Sequence, residues 1–265
     1  MASFEGGDLS ARRFAAKARR SFVIVLIGAV AAGCFSAQHE SIDDPAVSAP
    51  TAYLRSDPYP NLSVEVVFAP GTPPSKLALD QLVPSLEEAT GKHPRFMEPR
   101  ALDGWAAQPR NWSVTDLDRV ITEESPFGED RFGEAGEAVL QVFYLDGHGF
   151  DASGEVAGLA VKGRAFVFVR SFAEEGKLMI PPREDFERSV MMHEVGHVLG
   201  LVNCGIPMLT PREDPGGSCH SMHSNSVMYV RSSPHAPDLP PSLDVPPYRF
   251  DEYDLADLRA FREAD

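Results

Sequence analysis

Residues 186–200, FERSVMMHEVGHVLG, place the tightest constraint on what this chain can fold into. Phe186, Val190 and Val198 recur at helical spacing, and Glu184, Asp185 and Glu187 gather where a helix start favours anions. Pro181 and Pro182 lie just upstream, where proline is tolerated, and Gly200 and Gly205 are candidate stops. On such a helix His193 and His197, four residues apart, stand one turn above the other on one face. Two imidazoles so placed can serve one metal ion. Glu194 projects from the neighbouring face and fits a general base for a metal-activated water. The plainer alternative is a surface helix with two incidental histidines. Histidine is scarce here, 8 in 265 residues, so the metal reading is preferred. A catalytic zinc site uses three protein ligands and keeps a fourth position open. The helix supplies two, so the third must come from elsewhere.

The rest of the chain supplies material for a sheet and further helices. Residues 62–68 (LSVEVVF) alternate and are β-branched, and residues 138–145 (AVLQVFYL), 158–161 and 165–169 read as strands. Residues 75–90 carry Leu77, Leu82 and Leu86 at helical spacing, with Ser75 as N-cap, Gly91 as stop and Pro84 as a possible break. Residues 114–124 and 250–261 read as helices, the second opened by Asp251; Asp254 and Asp257 on it are expected to be solvated. Phe96 is expected on a short strand, 104–112 in a loop, and Asp146 to Gly149 in a turn, where His148 would be a metal or substrate contact or, the preferred reading for a lone histidine beside glycines, a turn residue. The Pro/Gly-rich stretch 207–218 reads as an inserted loop, and 232–247, which holds His235, as an extended surface segment. Strands preceding one long motif helix give an α+β or three-layer α/β domain, a twisted sheet packed against that helix.

The N-terminus reads as an export signal. Arg12, Arg13, Lys17, Arg19 and Arg20 precede a short apolar run, 21–32 (SFVIVLIGAVAA), that ends at Ala31-Ala32-Gly33-Cys34. This end resembles a bacterial lipobox, with Ala31 where Leu is usual. The resemblance implies a signal peptide over 1–33, lipid on Cys34, a flexible anchored linker over 34–61 and a catalytic domain over 62–265. The alternative is an ordinary secretory signal with an incidental cysteine. Arg19-Arg20 also resembles a twin-arginine signal. The expected location is the bacterial cell envelope, lipid-anchored at the outer membrane. If Cys34 carries lipid, Cys204 and Cys219 remain of the three cysteines, and two thiols in an oxidising compartment usually pair. The alternative is that both are ligands or free thiols. The formal net charge is −15, and the leader holds five Lys/Arg against two acids, so removing it leaves an even more acidic chain. Nucleic acid is not an expected partner for such a surface.

HEVGHVLGLVN, residues 193–203, resembles the metzincin clan of zinc metallopeptidases, whose pattern is HExxHxxGxxH followed by a methionine-containing turn. His193, Glu194, His197 and Gly200 match. Residues 226–229, SVMY, resemble the Met-turn, which makes Met228 the packing residue beneath the metal. The resemblance implies a metzincin-like fold: a twisted, mostly parallel sheet packed on the HExxH helix, with a C-terminal helix after the Met-turn. Asn203 stands where the third histidine is usual. Three options are open: weak binding by Asn203, a ligand from His220 or His223 just before the Met-turn, or a degenerate site. Residues 201–229 also resemble a bacterial metzincin-like group that carries GLVN, an insertion and a histidine shortly before the Met-turn. That likeness points to His220, with a Cys204–Cys219 bond holding it near the helix.

What the resemblance implies is a zinc-dependent endopeptidase with one catalytic Zn2+, Glu194 as base, and a peptide or protein as substrate. An edge strand at 158–161 or 165–169 would pair with extended substrate. Tyr229 would assist an oxyanion or, the preferred reading, pack in the core. Beyond substrate, the expected partner is the membrane, through the lipid; the chain is expected to be a monomer. Two rivals are a zinc amidase acting on cell-wall peptide and a catalytically weakened lipoprotein that serves as a binding module.

Overall fold

A computed structural model of the chain describes residues 49–125, 136–152, 154–171, 182–229 and 247–264. The leader, Cys34, Pro181, His235 and most of the proline-rich stretch 232–247 lie outside the described residues.

The main sheet is built from β1 (Asn61–Phe68), β2 (Arg95–Phe96), β3 (Arg100–Ala101), β5 (Glu137–Leu145), β8 (Gly158–Val161) and β9 (Arg164–Phe168), in the order β2-β1-β5-β9-β8, with β3 also pairing β1. All its pairings are parallel except β8 with β9, which form an antiparallel hairpin and leave β8 as the edge strand. β1 and β5 run in register from Asn61 opposite Glu137 to Phe68 opposite Tyr144. Both strands are buried along nearly their whole length, as expected for a parallel sheet covered on two faces.

One face carries α1 (Ala49–Leu54), α2 (Lys76–Thr90), α4 (Arg183–Val198) and α5 (Glu252–Glu263); its core joins Leu82, Val142, Met191, Val195 and Leu258. The opposite face packs Phe143 and Phe166 against Trp112 and against Leu117 and Ile121 of α3 (Val114–Glu124). The fold is therefore a mixed α/β domain of three layers with a mostly parallel sheet. A small second sheet joins β4 (Arg110–Trp112), β6 (Gly147–Asp151) and β7 (Gly154–Val156).

Several expectations need correction. The tether expected over 34–61 does not reach Asn61: Ala49–Leu54 is a helix whose Ala52, Tyr53 and Leu54 are wholly buried. Tyr53 Oη sits 3.1 Å from the carbonyls of Val139 and Gly163, which ties α1 to the sheet. Its apolar signal is too short to show a period. Pro84 does not break α2, because it lies on the exposed side, where water can serve the carbonyl it deprives. Ser75 does cap α2, accepting from the Ala78 amide at 3.2 Å, and Gly91 ends it at φ 65°. Leu77, however, faces solvent, and the buried stripe is Ala78, Leu82, Leu86 and Ala89. Gly147 to Gly149 is strand rather than turn, because β6 pairs with β4, which itself emerges from the expected loop. The inserted loop folds into a hairpin of β10 (Glu213–Asp214) and β11 (Gly217–Ser221).

Candidate metal centre

α4 packs across β8 and β9 and against α2. Glu184 and Asp185 occupy its first turn, and it ends in a Schellman closure: Gly200 N–H donates to the His197 carbonyl (3.0 Å) and Leu201 N–H to that of Gly196 (3.1 Å). Gly200 has φ 83°, and a Cβ there would meet Pro50 Cγ at 2.7 Å, so conformation and space both require glycine. The chain turns away through Val202 and Asn203, both at positive φ.

His193 and His197 lie one turn apart with their ring planes nearly perpendicular, and their Nε2 atoms are 3.0 Å from each other. Nitrogens bound to one tetrahedral zinc at about 2.0–2.1 Å lie about 3.3 Å apart, so the pair is close to ligand spacing without any metal imposed. β11 brings in His220, whose ring lies 5.3 Å from that of His193 and 4.9 Å from that of His197, centroid to centroid. One ligand nitrogen from each of the three lies within 4.8 Å of the others.

The three histidines fit a zinc ion. All are buried. One ring nitrogen of the buried His220 lies within reach of the other two histidines, and a metal held by the three would give that nitrogen a partner. His193 is oriented by a hydrogen bond from Nδ1 to the Val227 carbonyl (2.7 Å), which leaves Nε2 as the lone pair facing the cluster. Burial pushes the imidazole of His193 down to about 4. Burial, together with His193, pushes His220 down to about 3. His197 is pushed well below its ordinary value by burial and by both neighbours. All three are therefore neutral at pH 7, the form that binds a metal.

Glu194 is fully buried beside them, where the edge strand comes closest: a Cβ on Gly158 would lie 2.5 Å from Glu194 Oε1. Met228 lies against the helix backbone between the two α4 histidines, and a Cβ on Gly196 would collide with its sulfur. Cys204 and Cys219 form a disulfide with Cα atoms 5.1 Å apart, which fastens the residue before His220 to the chain just beyond α4.

The other candidates are placed elsewhere. Asn203 is exposed, and its amide is engaged within its own loop, donating to Glu213 Oε2 (2.9 Å) and accepting from the Met208 amide (3.4 Å). His223 turns to Tyr253, with ring centroids 5.6 Å apart. His148 pairs with Glu155 at 2.7 Å on the small sheet. Tyr229 is half-buried.

Asp254 and Asp257, expected in solvent, are buried; Arg212, which no sequence signal singled out, lies between them, 2.9 Å from Asp254 and 2.6 Å from Asp257. The reason is tertiary: α5 turns these two positions inward onto the loop that precedes β11. Their spacing of three residues, one helix face, was the only available signal.

No family model matches the sequence, and no curated protein matches it. Solved structures do. The chain is similar to archaemetzincins from two archaea. For the Archaeoglobus fulgidus protein, complexed with malonate, identity is 14% and the TM-score 0.43, over 74% of this chain and 99% of that one. For the Methanopyrus kandleri protein, identity is 19% and the TM-score 0.47, over 76% and 94%. A zinc-dependent peptidase from Methanocorpusculum labreanum is similar at 16% identity and a TM-score of 0.44, over 74% and 99%.

Proposed function

We propose that this chain is a zinc-dependent endopeptidase in which His193, His197 and His220 hold the metal and Glu194 is the general base. The observation that carries the reading is the convergence of His220, from a separate strand, on the two helical histidines, with Glu194 buried alongside. When bound, zinc supplies Lewis acidity to a water and to the scissile carbonyl. Glu194 takes the proton from the attacking water and later returns it to the leaving amine. His193 is kept in one tautomer by the Val227 carbonyl. Met228, wholly buried against the α4 backbone at Gly196, spaces α4 from the 226–229 turn. β8, an edge strand touching Glu194 at Gly158, can add an extended peptide as a further strand and lay its backbone across the base. A buried carboxylate is not needed to hold a structural zinc, which favours catalysis over a binding-only role.

The test is elemental analysis of the purified protein together with hydrolysis of denatured casein, for the wild type and for His220→Ala, His223→Ala and Asn203→Ala. The expected result is about one zinc per chain, lost together with activity in His220→Ala only. Wild-type protein without zinc would sink the reading; full zinc without casein hydrolysis would redirect it to cell-wall peptide. Lipid anchoring at Cys34 belongs to the same proposal. Its support is that Cys204 and Cys219 pair, which fits an oxidising compartment and leaves Cys34 as the remaining cysteine. Membrane fractionation of Cys34→Ser checks it: the variant should lose lipid mass and leave the membrane fraction.

A further inference from the structure

Bonded to the segments that carry His220 and Val227 is a charged group that the proposed chemistry does not use. The Arg212 side chain is wholly buried, with Nη2 2.9 Å from Asp254 Oδ1 and Nη1 2.6 Å from Asp257 Oδ2. The group reaches both segments that serve the histidines. Towards β11, the Arg212 carbonyl accepts from the Met222 amide at 2.8 Å, and Ser221 N–H donates to the Met228 carbonyl at 2.9 Å, so the residues just after His220 are fastened on both sides. Asp257 accepts the Leu209 amide at 2.7 Å, which fixes the loop on the way to Arg212. Towards the 226–229 turn, Asp254 Oδ2 lies 3.5 Å from Ser226 Oγ, which itself accepts the Met228 amide at 3.1 Å. The turn so held carries the Val227 carbonyl that orients His193.

Stability alone does not account for such a group. Three buried charges gain little, or lose, against an apolar trio of the same volume, because desolvation offsets their attraction. A guanidinium does fix direction, since its planar fork donates at set angles only: Nη2 donates to Asp254 Oδ1, and Nη1 is held against Asp257 as a close ion pair. We propose that Arg212, held by Asp254 and Asp257, is a positioning residue that keeps His220 and the Val227 carbonyl in register with α4 and so sets the metal affinity without touching the metal. The inference rests on the zinc reading above. It also extends the site to α5, far along the chain from the histidines it serves.

The test uses the full-length protein and Arg212→Met, Arg212→Lys and Asp257→Asn. Each is examined at a temperature where circular dichroism shows it folded. Zinc affinity is measured by competition with a chromophoric chelator, and ligand geometry by the visible d–d bands of the Co(II)-substituted protein. Ile121→Ala, in the core on the other face of the sheet, is the control for general destabilisation. Arg212→Met should weaken zinc about 10- to 100-fold, the range for residues that orient ligands, and reduce the Co(II) bands. Arg212→Lys, which keeps charge but loses the fork, should fall between, and Ile121→Ala should lower the melting temperature without moving either readout. Should Arg212→Met not fold, Asp257→Asn carries the test, with a smaller loss of affinity expected. Zinc affinity within about twofold of wild type in the folded variants, or the same loss in Ile121→Ala, overturns the inference. Wild type that binds no zinc overturns the metal reading and this one with it.

Discussion

At the scale of single residues the site divides by how its members are found. His193, Glu194 and His197 are neighbours on one helix, and a spacing of four is enough to place them together. Their roles can be separated by Glu194→Gln, which keeps the shape and removes the base. The variant should retain its zinc while kcat falls about 10²- to 10⁴-fold; a fall in zinc content instead would make Glu194 a structural residue. The third histidine was not legible by the same logic. His220, His223 and Asn203 all lie within reach in sequence, and only the path of the hairpin decides that His220 turns inward while His223 meets Tyr253 and Asn203 binds its own loop. Asp254 and Asp257 were misread for a related reason. A carboxylate on an amphipathic helix is solvated by default, and its burial becomes tolerable only once Arg212 arrives from another segment.

At the scale of elements, those with a sustained period were legible: α2, α3, β5 and the motif helix stand close to where spacing puts them. Six-residue α1 and three-residue β4 carry too little period to announce themselves; pairing and burial create them. Two elements meet the site, and each allows a prediction. β8 passes so near Glu194 that Gly158→Ala must push either the strand or the carboxylate. The variant should lose kcat while its melting temperature changes little, as edge strands carry less of the fold. Steady-state kinetics beside thermal melts would show whether the losses separate. The hairpin of β10 and β11 is tied by Cys204–Cys219 across 15 residues of sequence. Reduction should cost about 3 kcal/mol in the chain-entropy view and loosen the segment adjoining His220. Zinc affinity should therefore drop in reductant and return on reoxidation, read by chelator competition with a phosphine that does not bind zinc. Unchanged affinity would mean that the buried charges hold the hairpin alone.

At the scale of the molecule, the three buried imidazoles link metal, fold and pH. In the unfolded chain each takes up a proton near 6.5; in the metal-free folded chain His193 does so only near 4 and His220 near 3. Between these limits the unfolded state binds more protons, so the metal-free protein loses stability as pH falls from about 6.5 towards 4. The slope is at most about 1.4 kcal/mol per pH unit for each histidine. Above about 6.5 these groups contribute no pH dependence. Urea melts of chelator-treated protein at stepped pH should show this slope, and His220→Ala should reduce it. What the sequence by itself determined is whatever repeats locally: the motif helix with its two histidines and its glutamate, the caps of α2 and α5, the buried strands and the glycine that ends α4. Only the tertiary structure decided which histidine completes the cluster, that α1 belongs to the core, and that α5 turns two aspartates inward onto Arg212. Local geometry follows from bonded neighbours and a fixed helical or strand period. Contacts between distant segments depend on loop paths and shared burial, for which one chain carries no periodic signal.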